Sequence, residues 1–261
     1  MAIGADEAES LENWGFQDTS FTINGNGNVA ITGSRYELSG KELPRLLPWI
    51  RETLDIDLDV NDRFEPHYPP EIAPAVKNAE FLKQLTPFLS EGQIDAGLDA
   101  RVRHGHGHTQ EEMFEIKYGR IGRIPDAGVF PETEEQVASL IVSAKQYSVV
   151  LIPFGGGTNV TDALRCRESE SRMIVSVDMR RMNRIRWIDT ENRTACIEAG
   201  AVGRHIMSQL ENYGVTMGHE PDSVEFSTLG GWIATHASGM KKNKYGNIED
   251  IVIDMTVAAA D

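Results

Sequence analysis

The sequence predicts an α+β fold: a helical, loop-rich region over residues 1–119, then a domain of mixed helices and strands over residues 120–261. Three observations carry that expectation. A capped amphipathic pattern at 133–147 leads into the apolar run Val149-Val150-Leu151-Ile152, that run opens directly into three consecutive glycines, and short β-type runs then alternate with a further helical pattern. The chain has 261 residues, 40% hydrophobic and 25% charged, enough for one large or two small domains with a sizeable core.

Taken in order, Phe21-Thr22-Ile23, Asn24-Gly25-Asn26-Gly27 and Val29-Ala30-Ile31-Thr32 read as strand, turn and returning strand. Ser39-Gly40-Lys41-Glu42 has capping-box spacing ahead of Leu43, Leu46, Leu47 and Ile50, and Pro44 and Pro48 keep the helix short or kinked. Pro66, Pro69, Pro70 and Pro74 mark an extended connector. Thr133-Glu134-Glu135-Gln136 is a second capping box, with Val137, Leu140, Ile141 and Ala144 on one helical face. Residues 149–152 and 173–177 read as buried strands, 184–188 pairs with 194–198, 203–213 is a helix, and 251–257 is a last buried strand whose next partner is missing.

Composition excludes several classes. Lys plus Arg is 25 against 40 for Asp plus Glu, a net charge of −15 that argues against a nucleic-acid groove. No apolar run approaches the ~20 residues that span a bilayer, and the acidic start, residues 1–10, does not resemble a secretory signal. Two cysteines, Cys166 and Cys196, make no disulfide scaffold or metal motif and read as ordinary thiols of a reducing compartment. His104, His106 and His108 alternate with glycines, which pre-organise ligands poorly, so a solvent-facing or active-site-edge loop is expected rather than a metal site. Lys241-Lys242-Asn243-Lys244 reads as solvated surface, with help to a phosphate-bearing ligand as the alternative. Trp187 and Trp232 read as core, and Glu220 and Asp222 as groups that orient a ligand rather than an acid–base pair.

Two segments point to a ligand. Pro153-Phe154-Gly155-Gly156-Gly157-Thr158-Asn159-Val160 follows a strand and can turn its N–H groups toward one centre, a nest for an anion such as phosphate; a plain flexible turn is the alternative. It matches neither the Walker loop nor the dinucleotide fingerprint. About 70 residues on comes His219-Glu220-Pro221-Asp222-Ser223-Val224-Glu225-Phe226-Ser227-Thr228-Leu229-Gly230-Gly231-Trp232-Ile233-Ala234-Thr235-His236-Ala237-Ser238-Gly239. There Thr228 can cap a helix, Gly230 and Gly231 admit a close approach, and Thr235 and Ser238 offer hydroxyls.

The glycine loop resembles that of vanillyl-alcohol-oxidase-type flavoproteins. The string from Gly218 to Trp232, with Ala237-Ser238-Gly239-Met240-Lys241-Lys242-Asn243 and Tyr245-Gly246-Asn247-Ile248-Glu249-Asp250, is similar to the alkyldihydroxyacetonephosphate synthase family. The likeness reaches back through Arg123-Ile124-Pro125-Asp126 and His104-Gly105-His106 to Asn13-Trp14-Gly15-Phe16 and Leu38-Ser39-Gly40. It departs at His236, where the family has arginine.

The resemblance implies an FAD-binding domain of the vanillyl-alcohol-oxidase (PCMH) type over 120–261 and noncovalent FAD. The expected cofactor residues are Pro153, Phe154, Gly155, Gly156, Gly157, Thr158, Asn159, Val160, Asp222, Ser223, Val224, Glu225, Phe226, Ser227, Thr228, Gly230, Gly231, Thr235, His236, Ala237 and Ser238. It also implies an ether-lipid reaction without net redox change, in which a long-chain fatty alcohol replaces the acyl group of acyl-dihydroxyacetone phosphate, the flavin N5 supplying the reactive centre. A peroxisomal location at the membrane surface, and a homodimer, belong to the same implication. No peroxisomal address is read at the start or in Ala259-Ala260-Asp261, and the family's substrate domain and catalytic residues are expected beyond Asp261, so the chain reads as an N-terminal, truncated part. The rivals are an FAD-linked oxidase or dehydrogenase of 2-hydroxy acids, against which the 219–232 string speaks, and a non-catalytic FAD-binding fragment.

Overall fold

Asn24 organises the first hairpin: its Oδ1 accepts the N–H groups of Asn26 and Asn28, each at 3.0 Å, while Gly27 takes φ +78°. β1 (Phe21–Ile23) thereby returns as antiparallel β2 (Val29–Ile31), with Val29 and Ile31 buried. The computed structural model describes residues 9–62 and 64–260 and divides into two units, Met1–Pro70 with Met113–Arg120, and Glu71–Glu112 with Ile121–Asp261.

In the first unit the expected cap at Ser39 does not form. Gly40 takes φ +75° and Glu42–Leu43 adds to β2 as a third strand, β3, with the Glu42 carboxylate accepting from Asn28 Nδ2 at 2.8 Å. Sheet pairing thus takes the backbone that the capping box would have used. The helix starts later, as α1 (Leu46–Leu54) without a side-chain cap, and Pro48 sits in its first turn, where a missing N–H breaks no helical bond. The proline-rich stretch after it is extended, without helix or strand, as expected.

The second unit opens with α2 (Ala79–Leu85), capped by Asn78, whose Oδ1 accepts from Phe81 N at 3.0 Å. β4 (Ile94–Asp95) and α3 (Leu98–Arg103) follow; the chain then runs through α4 (Gln110–Lys117), whose residues from Met113 on belong to the first unit, and returns with β5 (Ala127–Val129) and α5 (Glu134–Gln146) on its predicted Thr133 cap. β6 (Val150–Phe154) and β7 (Ile174–Asp178) complete a four-stranded sheet in the order β4-β5-β7-β6, parallel except for β4. Phe81 and Leu85 of α2, Leu140 and Ala144 of α5, and Val129 and Val175 of the sheet form its core, each large side chain contributing about 1.5–3 kcal/mol by burial. Asp126 ties the sheet to the incoming chain: its carboxylate accepts from Arg123, from Val76 N and from Ile174 N.

The strand expected to be buried at 149–152 is an edge strand, so residues 150–152 are only half-buried. Val150 N donates to Met173 O, and the alternation of the ladder then turns residue 153 toward the free edge, where proline's missing N–H is harmless.

β8 (Ile185–Asp189) and β9 (Thr194–Ile197) pair as predicted. A register shift between Ile185 and Trp187 breaks the alternation, so Ile185 and Ile188 both join the second core while Trp187 is 54% exposed, contrary to the expected core role. That core gathers Ile206 and Leu210 of α6 (Gly203–Glu211), Trp232 of α7 (Leu229–Thr235) and, after α8 (Lys242–Tyr245), Ile248 of α9 (Ile248–Ile251). The expected last strand is absent. Residues 252–260 are irregular and pair with no described strand, and Ile253, Met255 and Val257 are exposed. No described helix is long and apolar enough to cross a membrane.

Candidate functional site

β6 delivers the chain into the glycine loop from a buried anchor, Phe154, at the sheet's edge. The backbone N–H groups from Gly155 through Val160 donate to no group among the described residues, so the loop offers a run of free donors.

The second segment packs directly on this loop. A Cβ on Gly155 would stand 2.3 Å from Thr228 Oγ1, and one on Gly156 would stand 2.1 Å from Phe226 O. Close approach of protein backbone therefore explains Gly156, and only Gly157, at φ +69°, needs the left-handed region. Residues 224–230 are strapped from behind: Gly203 N donates to Ser227 O, Arg204 N to Val224 O, Leu229 N to Ala201 O and Gly230 N to Ala199 O at 2.7 to 3.0 Å. Thr228 caps α7 as expected, its Oγ1 accepting from Gly231 N at 3.3 Å, and Trp232 Nε1 donates to Ser227 Oγ at 2.8 Å.

The other candidates lie along α7 and in the two loops. Thr235 ends α7, roughly 10 Å along the helix from its cap, and its hydroxyl donates back to Gly231 O. His236, at φ 51°, and Ser238 are exposed, as is Asp222. Ala237 packs on the Trp232 core. Thr158 and Asn159 are half-buried and Val160 is exposed; Asn159 Oδ1 accepts from Ala163 N at 3.0 Å. Val224 and Ser223 line the turn into Phe226, where Phe226 N and Ser227 N both donate to Ser223 O; Glu225 is half-buried there. Glu220 pairs with Lys241.

The histidine loop is not solvent-facing. His104 and His106 are buried at 2% and 4% exposure, and beside them Arg103 lies against the glycine loop. Arg103 Nη2 donates to Gly156 O at 2.9 Å, and His108 N donates to Asn159 O at 2.7 Å. His104 Nε2 lies 2.9 Å from Asp178 Oδ2, and Arg180 holds the same carboxylate at 2.7 Å. Burial alone would raise the Asp178 carboxyl, but the Arg180 guanidinium and the His104 ring hold it well below the usual range. The Arg103 and Arg180 guanidiniums and the His104 ring all flank the Phe154 ring, at 5.0, 5.4 and 4.4 Å. Burial pushes the His106 imidazole down to about 3, and its Nδ1–H donates to Gly107 O. Among the described residues no three His, Cys, Asp or Glu side chains are arranged to hold a metal. Cys166 and Cys196 are free, and burial pushes the Cys166 thiol up to about 11.

Arg103 is the residue that sequence reasoning missed. Its partner is 53 positions away, and the one local signal was its place beside glycines that proved to be packing positions: a Cβ on Gly107 would stand 2.5 Å from Asn159 O.

An unsatisfied backbone nest over the buried Arg103 guanidinium suits a multiply charged anion such as a pyrophosphate. The FAD binding domain family matches residues 125–261, more than half of the chain. The chain belongs to that family. This FAD-binding chain is 45% identical to an alkyldihydroxyacetonephosphate synthase of Caenorhabditis elegans over 93% of its own length and 40% of the relative's. It is 37% identical to one of Dictyostelium discoideum, over 87% of its own length and 38% of that protein's. A solved alkyldihydroxyacetonephosphate synthase structure superimposes with a TM-score of 0.86 at 35% identity, covering 95% of this chain and 46% of that one. The chain thus spans about two fifths of the curated relatives it matches.

Proposed function

We propose that this chain is the FAD-holding part of an alkyldihydroxyacetonephosphate synthase-type enzyme, with the pyrophosphate on residues 155–160 and the 222–231 segment beside it. The observation that carries the reading is the free N–H run of that loop, packed against Phe226 and Thr228 and floored by Arg103. FAD, when bound, supplies the reactive centre; the chain supplies donors, a fixed backbone and a positive floor. Neither histidine nor cysteine stands in residues 153–160 or 222–231, which supports noncovalent binding, with His236 the one candidate residue that could carry a tether instead. His236 and Ser238, exposed beyond α7, are proposed as outer contacts only.

Replacement of the acyl group of acyl-dihydroxyacetone phosphate by a long-chain fatty alcohol, a peroxisomal setting at the membrane surface and a homodimer are proposed for the whole enzyme, in line with the identity to relatives of that name. The chain is titrated with FAD, then denatured and filtered. Flavin should bind and afterwards pass the filter. Absence of binding overturns the cofactor role, and flavin retained with the polypeptide overturns noncovalent attachment. Alkyl transfer by the gene product carrying this chain, without electron-acceptor reduction, separates the reading from a 2-hydroxy-acid oxidase.

A further inference from the structure

Arg103 lies at the end of α3, outside both glycine-bearing segments, yet it is 7% exposed and donates through Nη2 to Gly156 O at 2.9 Å. The only cis peptide among the described residues is Tyr68–Pro69, so the peptide joining Gly156 to Gly157 is trans and its C=O and N–H point in opposite directions. Holding the Gly156 carbonyl down toward the guanidinium therefore turns the Gly157 N–H up and away from it. Five residues on, His108 N holds Asn159 O at 2.7 Å, which by the same geometry turns out the Val160 N–H. Neither N–H has another acceptor among the described residues.

We infer that Arg103 is a positioning residue for the cofactor's pyrophosphate: it fixes the Gly156–Gly157 peptide so that the Gly157 N–H, together with that of Val160, is aimed at the phosphate oxygens before the ligand arrives. The inference rests on the FAD reading above. Aiming a peptide in advance removes the reorganisation that a flexible glycine loop would otherwise undergo on binding. The guanidinium also stacks 5.0 Å from Phe154, so the loop's first anchor and its carbonyl are held by one side chain.

The test compares the full chain with R103M and R103K by flavin-fluorescence titration, with far-UV spectra and thermal melts as fold controls. Met keeps apolar contact with Phe154 and removes the donor, whereas Lys retains a charged donor. R103M is expected to melt cooperatively and to bind FAD about 10- to 100-fold more weakly, the range for a lost charged hydrogen bond, with R103K recovering part of that. R103M affinity equal to the original overturns the inference, as does a loss that tracks a loss of cooperative melting. Amide NMR on the unmodified chain decides without any variant. FAD, or ADP as a pyrophosphate probe, should shift and protect the Gly157 and Val160 amides, and unmoved amides with FAD bound overturn the aiming. No FAD binding by the original chain would instead refute the cofactor reading itself.

Discussion

Gly156→Ala separates packing from ligand contact. Gly156 does not have a positive φ, so alanine can adopt its backbone, and the effect comes from contacts alone. The new methyl would stand 2.1 Å from Phe226 O, 2.6 Å from Phe226 C and 2.9 Å from Ser227 Cα, all main-chain atoms. A carbon–oxygen contact relaxes at roughly 3.3 Å, so the two segments must part by about 1 Å. The Phe226 side cannot easily yield, because Ser227 and Val224 are tied through their carbonyls to Gly203 N and Arg204 N. Overpacking costs about 1–3 kcal/mol, and backbone on both sides places this case near the top of that range. For a chain of this size that is roughly a 6–12 °C drop in Tm. Parting the segments also stretches the Arg103 to Gly156 bond, so FAD affinity should fall with stability. The assay is scanning fluorimetry of the ligand-free chain followed by flavin titration. Gly25→Ala is the control, since nothing lies within 4 Å of a Cβ there. A G156A chain that melts with the original, free of ligand, would refute the claim that this glycine exists for backbone packing.

Gly231→Ala should behave in the opposite way: its Cβ meets only Thr228 Oγ1, at 3.2 Å, and alanine favours the helix by about 1 kcal/mol. Ligand-free stability should hold or rise while FAD affinity falls, and a clear loss of Tm would contradict this. His106 is neutral in the fold, with its imidazole pushed down to about 3, whereas the unfolded chain takes up a proton near pH 6.5. Its contribution is therefore complete above pH 6.5 and lost as pH falls toward 3, with a slope of up to about 1.4 kcal/mol per pH unit. His106→Gln should flatten that dependence in urea unfolding at pH 7, 6 and 5, and an unchanged slope would count against it. Trp232→Phe removes the Nε1–H bond to Ser227 Oγ and should destabilise by about 1–2 kcal/mol. Combined with Ser227→Ala it should be less than additive, and strict additivity in the double-mutant cycle would show that the bond carries no energy.

What was legible in the sequence was what closes within a few residues. Asn24, Thr133 and Thr228 each bond backbone within four positions, and the turn and both helix starts follow from residue type alone. Ser39 carries the same local signal as Thr133 and fails, because the β2 edge takes Glu42–Leu43 and competes for the same backbone. Trp187 fails for a related reason: period-two alternation assumes an unbroken ladder, and the shift in β8 breaks it. The pattern at 251–257 has strand chemistry, but a strand is a property of a pair.

The candidate site was half legible for a reason that lies in glycine itself. Three consecutive glycines and Gly230-Gly231 announce that something approaches the backbone closely, and a ligand is the first candidate. The structure assigns much of that approach to protein: Phe226 to Gly156, Thr228 to Gly155, Ala199 to Gly230 at 3.0 Å, and in the histidine loop Ile124 to Gly105 at 2.4 Å and Asn159 to Gly107. The His-Gly alternation at 104–108 is thus a packing signature: the His104 ring meets Asp178, the His106 ring meets Gly107 O, and His108 holds the glycine loop through its backbone N–H. In the 155–160 loop the carbonyls of Gly156 and Asn159 turn inward to Arg103 and to His108 N and the amides are left without a described acceptor, whereas Gly105, Gly107 and Gly230 spend their amides on Val102 O, the Glu112 carboxylate and Ala199 O. A glycine-rich loop folded against other backbone in this way is already an anion receptor before any ligand binds, which is why packing variants such as G156A should reach the cofactor without touching it.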